Sequence, residues 1–91
     1  MKLRWTAKAL SDLERLHAFL APVDPHAAAR IVRALVAAPE HLLSHPRLGR
    51  RLGEFDSREV RRIFVGDYEM RYEISGSLII ILRLWHARED R

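Results

Sequence analysis

The side chains here that could do chemistry are five histidines, a scatter of carboxylates and, above all, arginines. The histidines are His17, His26, His41, His45 and His86. His41 and His45 have the i, i+4 spacing that can clasp a metal on a helix. No HExxH accompanies them, and Pro46 takes His45 out of any helix, so solvated helix-end histidines are the expectation and no metal is. The chain has no cysteine, which removes disulfides, thiolate ligands and a cysteine nucleophile. Ser11, Ser44, Ser57, Ser75 and Ser77 fall at caps or turns, where hydroxyls serve the backbone. Neither a GxSxG elbow nor a phosphate-cradling GxxxxGK loop occurs. No cofactor is expected.

What remains is phosphate chemistry. Metal-free RNA cleavage needs a base for the ribose 2′-hydroxyl, a cation for the phosphorane and an acid for the leaving oxygen. Arg61, Arg62, Arg71 and Arg83 could supply the cation, His86 the proton transfer, and Glu69 or Glu73 the base. The competing reading is surface ion pairing, since Glu and Arg alternating along strands pair across them; composition alone favours it. A second basic stretch holds Arg47, Arg50, Arg51, Arg58, Arg61 and Arg62, diluted by Glu54, Asp56 and Glu59. It could meet phosphate or an acidic protein segment. Trp85 beside His86 could stack on a base, although a Trp near a strand end is more often a core or rim residue.

Fourteen of the sixteen Lys and Arg residues are Arg, the formal charge is +4 and the pI is about 10.3. Arginine forks suit phosphate and carboxylate, so nucleic acid or an acidic partner fits, as does a GC-rich genome that encodes Arg by default. Ninety-one residues allow one small domain spanning 1–91. At 48% hydrophobic and 31% charged the chain is neither disordered nor membrane-embedded. Its longest apolar run, Leu78 to Leu82, is strand length. Met1 to Arg4 leads into Asp12 and Glu14 rather than an apolar signal block, so a cytoplasmic protein is expected, with no membrane partner.

These groups need elements to hold them. Lys2 to Trp5 reads as a short strand, after which Thr6 can N-cap a helix. Leu10, Leu13, Leu16 and Leu20 recur at helical spacing beside Phe19, with Lys8, Asp12, Glu14 and Arg15 off that stripe, from Ala7 to Ala21. Asp24 and Pro25 open a second helix to Ala38, with Ala28, Ile31, Val32, Leu35 and Val36 as its stripe. Pro39 ends it and leaves room for a short third helix through Leu42 and Leu43. His45 to Gly53 reads as a basic loop. Arg58 to Val65, Tyr68 to Ile74 and Leu78 to Trp85 read as a three-stranded antiparallel meander, turned at Gly66-Asp67 and Ser75-Gly76-Ser77. The fold class is therefore α+β: an N-terminal strand, an antiparallel helical hairpin and a meander, with the helices on one sheet face. The first and last strands should be neighbours. The other face should be partly open and carry Glu69, Arg71, Glu73 and Arg83. Arg88 to Arg91 should fray.

Taken in order, several short stretches resemble the ParE/RelE superfamily of bacterial type II toxins. They are Trp5-Thr6 with Ala9, Asp12 and Leu13; His45-Pro46-Arg47-Leu48-Gly49-Arg50; Arg58-Glu59-Val60; Tyr68-Glu69-Met70-Arg71-Tyr72; and Ile79 to Arg83 running into His86-Ala87-Arg88. The resemblance covers nearly the whole chain. The RelE-like branch cuts mRNA in the ribosomal decoding site, and its Tyr-Arg-x-x-Tyr stretch matches Tyr68 to Tyr72 here. Glu69 stands where the resemblance places the catalytic Arg, and a carboxylate there repels a dianionic transition state. Arg71, two residues on, shares the face. The ParE-like branch resembles this chain better: it has a long helical hairpin, lacks the ribonuclease set and poisons DNA gyrase without being an enzyme itself.

The resemblance implies a cognate antitoxin whose C-terminal segment wraps the toxin in a hetero-oligomer, with operator DNA reached only through that antitoxin. It implies DNA gyrase as target, and alternatively the ribosome and mRNA; a third alternative is an antitoxin-binding module without toxicity. Contact candidates are Arg50, Arg51, Arg83, Trp85, His86 and Arg88. Nuclease candidates are Arg61 or Arg62, Arg71, Arg83 and His86.

Overall fold

The computed structural model describes residues 1–89. Its elements are β1 (Lys2–Trp5), α1 (Ala7–Leu20), α2 (Pro25–Ala37), α3 (Glu40–Ser44), β2 (Arg50–Arg51), β3 (Glu59–Val65), β4 (Tyr68–Ser75) and β5 (Leu78–His86). The strands form one sheet in the order β1-β5-β4-β3-β2, with β1 parallel to β5 and the other pairs antiparallel. The first and last strands are indeed neighbours. The helices cover one face, where Leu16, Leu35 and Leu42 pack against Met70, Tyr72, Ile79, Ile81 and Leu84.

Local chemistry explains most boundaries. Thr6 Oγ1 accepts the Ala9 amide at 3.0 Å, and Asp24 Oδ1 accepts that of Ala27 at 3.0 Å, so each helix has a side-chain cap. Both helices stop one residue before the sequence expectation, at Leu20 and Ala37. Gly66 and Gly76 have φ of 58° and each opens a two-residue hairpin loop, a conformation other residues adopt only with strain.

Four expectations need correction. The stretch from His45 to Gly53 is not all loop: Arg50 and Arg51 add a fifth strand on the β3 edge. What brings them there is Gly49. Its amide donates to the Tyr72 hydroxyl at 2.9 Å, and that hydroxyl donates to the Pro46 carbonyl at 2.7 Å. A Cβ on Gly49 would lie 2.5 Å from the Arg62 carbonyl oxygen and 2.8 Å from the Tyr72 hydroxyl. Gly49→Ala is therefore expected to cost about 2 kcal/mol, the scale of overpacking a tight contact. A urea unfolding midpoint at unchanged slope checks it.

Second, α1 is rotated from its leucine stripe. Its buried residues are Ala9, Asp12 and Leu16, while Leu10 is half exposed and Phe19 is 79% exposed. In α2, Val36 of the expected stripe is likewise half exposed. Third, Glu69 is fully buried rather than lying on an open surface. Fourth, Arg88 and Glu89 are not frayed: the Glu89 amide donates to the His86 carbonyl at 2.9 Å in a turn. Asp90 and Arg91 lie outside the described residues.

A bulge decides which face Arg83 occupies. Tyr72 pairs with Ile81, but Arg71 pairs with Arg83, so Leu82 is an extra residue in β5. Beyond it Leu84 packs in the core and Arg83 projects from the helix-free face.

Candidate functional site

The strand register sets four arginines in one line. Arg50 pairs with Arg62, Arg62 with Arg71, and Arg71 with Arg83. Directly paired residues share a face, so the row crosses β2, β3, β4 and β5 on the helix-free side. At the usual strand spacing it spans about 14 Å. Like charges directly opposite one another repel, and three supports hold this row together.

The first support is Glu69. Its carboxylate accepts Arg71 Nε at 2.9 Å and lies 3.8 Å from Arg62 Nη1, with no exposed surface of its own. The second is aromatic. The guanidinium carbons of Arg71 and Arg83 stand 4.8 and 5.0 Å from the Trp85 ring centroid, and that of Arg62 stands 5.3 Å from Phe64. The Trp85 ring offered for base stacking is thus buried and covered by two guanidiniums.

The third support is Asp12. β1 ends at Trp5, opposite Ile81, and leaves the rest of the β5 edge without a strand beside it. Side chains take over. The Thr6 hydroxyl donates to the Leu82 carbonyl at 2.9 Å, the Leu84 amide donates to Asp12 Oδ2 at 2.9 Å, Arg15 donates to the Leu84 carbonyl at 3.2 Å, and the His86 amide donates to Glu89 at 2.9 Å. Asp12 also grips Arg83 through two bonds of 2.7 and 3.1 Å and meets Arg15 at 3.3 Å; Arg15 in turn pairs with Glu89. Burial alone would raise the Asp12 pKa. The hydrogen bonds from Arg83 and Leu84, with the Arg83 charge, outweigh burial and hold the carboxyl below its ordinary value. Glu89 shifts the same way: burial is outweighed by Arg15 and the His86 amide.

The other candidates lie elsewhere. Arg61 turns to the helix side, where it donates to Glu59 at 2.9 Å and to the Gly49 carbonyl at 2.7 Å. Arg51 is exposed beside it on the edge strand, and Arg88 is exposed in the last turn. Glu73 sits in the fork of Arg58 at 2.7 and 3.1 Å. His86 pairs in register with Tyr68, so it is on the helix-covered face, edge-on to the Tyr68 ring at 5.1 Å. Its Nδ1 accepts the Arg88 amide at 3.1 Å. His86, Arg15, Phe19, Leu20, Tyr68 and Arg88 line a cavity of about 520 Å³. The structure therefore brings Arg62, Arg71, Arg83 and Trp85 together with Arg50, and puts Arg61 and His86 on the opposite face. Among the described residues no cluster of three or more His, Asp or Glu could hold a metal, and no helix is long and apolar enough to cross a membrane.

Asp12 is the organising residue that hydropathy spacing missed. The signal was present: Ala9, Asp12 and Leu16 sit at i, i+3 and i+7, so the carboxylate lies on a buried stripe.

Residues 3–91 match the model of the ParE toxin of type II toxin-antitoxin system, parDE. Toxin RelE1 of Caulobacter vibrioides is 37% identical over 87 residues, 94% of this chain and 92% of its own length. Putative toxin Y4kP of Sinorhizobium fredii is 34% identical over 91 residues, covering 98% of this chain and 91% of its own. In fold, the chain is similar to a chain of the chromosomal ParDE system from P. aeruginosa, at TM-score 0.77 and 24% identity, covering 94% of this chain and 95% of that one.

Proposed function

The chain belongs to the ParE toxin family of type II toxin–antitoxin systems, and from that premise we propose that it halts growth by binding DNA gyrase in the bacterial cytoplasm and trapping it on broken DNA. A toxin of such a module has a cognate antitoxin as its partner. The observation that carries the gyrase reading is the separation of the parts a nuclease needs. Cleavage requires base, acid and phosphorane cation to converge on one phosphate. His86 is on the helix-covered face, Arg71 and Arg83 are on the other, Glu69 is enclosed beneath guanidiniums and Glu73 is held by Arg58. Binding needs no such convergence.

A second reading, ribosome-dependent mRNA cleavage, draws on the RelE names that curated relatives bear. Inducing the chain without antitoxin, with pulse labelling of DNA and protein synthesis, separates the two. On the gyrase reading DNA synthesis falls first, and the purified toxin inhibits supercoiling by gyrase. Translation failing first, with messages cut, overturns it in favour of the nuclease. Unchanged growth with soluble protein leaves a module that binds antitoxin without toxicity.

A further inference from the structure

We propose that the row Arg50, Arg62, Arg71 and Arg83 is a sequence-neutral binding site for the phosphodiester backbone of a nucleic acid. The inference stands apart from the choice of cellular target, because it concerns what this surface binds by itself.

Charge comes first. Among the described residues, four guanidiniums in one line are met by two carboxylates, Glu69 and Asp12. Asp12 is shared with Arg15, which has Glu89 as its own partner. The row is left with a surplus of positive charge that costs stability unless an anion meets it. Arg50 is exposed and makes no ion pair among the described residues; Arg62, Arg71 and Arg83 keep between 25% and 37% of their side-chain surface.

Preorganisation comes second. Stacking on Phe64 and Trp85, with the carboxylates beneath, fixes three of the guanidiniums before any ligand arrives. Less side-chain entropy is then lost on binding. Arginine forks engage phosphate oxygens bidentately.

The character of the face selects the ligand. Protein interfaces centre on apolar anchors in pockets, whereas nucleic-acid interfaces are polar and strongly positive. Here the Trp85 ring and Val60 are buried beneath guanidinium, and the one large apolar side chain left open among the described residues of this face is Phe64, 55% exposed against Arg62. With Trp85 covered, the ring left open to a base is Phe64, and stacking there tolerates any base, so the face meets backbone and not sequence.

The test is fluorescence anisotropy of the purified full chain with short mixed-sequence oligonucleotides: single-stranded DNA, duplex DNA and single-stranded RNA. A row that neutralises about three phosphates of a single strand loses about 20-fold in affinity between roughly 50 and 200 mM salt. In the double variant Arg50→Gln, Arg62→Gln the affinity falls about tenfold or more at the lower salt, and the salt effect shrinks to about 3-fold. Circular dichroism confirms its fold. Arg71 and Arg83 are left intact because each holds a buried carboxylate by a short hydrogen bond, at 2.9 and 2.7 Å, whereas Arg62 is the more distant partner of Glu69 at 3.8 Å. The strand type that binds tightest identifies the source of the phosphates. Four outcomes overturn the proposal: no binding by the wild type at the lower salt; equal weakening by Arg30→Gln, Arg33→Gln on α2; marked dependence on base sequence; or tighter binding of a polyglutamate peptide through the same arginines, which makes the site one for an acidic protein.

Discussion

Asp12→Ala is expected to lower folding stability by about 3 kcal/mol. The side chain is almost wholly buried and satisfies three groups at once: the Leu84 amide, the Arg83 fork and Arg15. Alanine leaves the Leu84 amide without its acceptor on an edge that no strand covers, a loss of about 1–3 kcal/mol. It also strips the counter-ion from Arg83. Breaking a buried pair costs about 3–5 kcal/mol, but Arg83 is 37% exposed, so water offsets part of that loss. Asp12→Asn keeps an acceptor for Leu84 and forfeits the charge, so about half the effect is expected. Urea midpoints read both variants, and an Asp12→Ala protein within about 0.5 kcal/mol of wild type would remove Asp12 from this role.

The same residue predicts an acid limb. The Asp12 carboxyl titrates lower in the folded chain than its ordinary 3.8, so the unfolded chain takes up the proton first. Its contribution is complete above that value and is lost as pH falls through the lower folded pKa. Glu89 adds a second depressed carboxyl, from an ordinary 4.5. In Asp12→Asn the loss of stability below about pH 4 should be shallower than in wild type.

Much of the architecture is legible in residue order because local chemistry dictates it. Asp24-Pro25 can hardly be anything but a helix start, and Gly66 and Gly76 are where the chain must turn. What hid were features set by packing at a distance. Two arginines have no strand signature; Arg50 and Arg51 pair with β3 only because Gly49 lets the backbone touch Tyr72. Asp12 reads as solvent-facing until one knows that β1 stops at Trp5 and exposes the edge of β5. The arginines of the row are visible singly in the sequence, but their alignment depends on registers and on the bulge at Leu82. His86 shows the same limit in reverse, since its nearness to Arg83 along the chain says nothing of the opposite faces they take.

Glu69 gives the second large effect, and its sign separates two views of the residue. As a carboxylate facing a bound phosphate it would only repel. The structure has it enclosed beneath Arg62 and Arg71, where it neutralises a row that would otherwise repel itself. Glu69→Ala is then expected to cost about 3–4 kcal/mol, as for a buried charge partner removed from cations that keep some contact with water. Glu69→Arg, which restores the residue that the nuclease resemblance places there, puts a cation into a site with no exposed surface between two others; it is expected to yield insoluble protein instead of a nuclease. Glu69→Gln is the informative middle case. Its amide oxygen can still accept from Arg71, so the chain should fold with a loss of about 1–2 kcal/mol, while the row gains one unit of net positive charge. Stability and anion affinity should therefore move in opposite directions, with a lower urea midpoint and a tighter complex with the oligonucleotide probe. If both fall together, Glu69 acts mainly by holding the guanidiniums in line, and geometry governs the site more than its net charge.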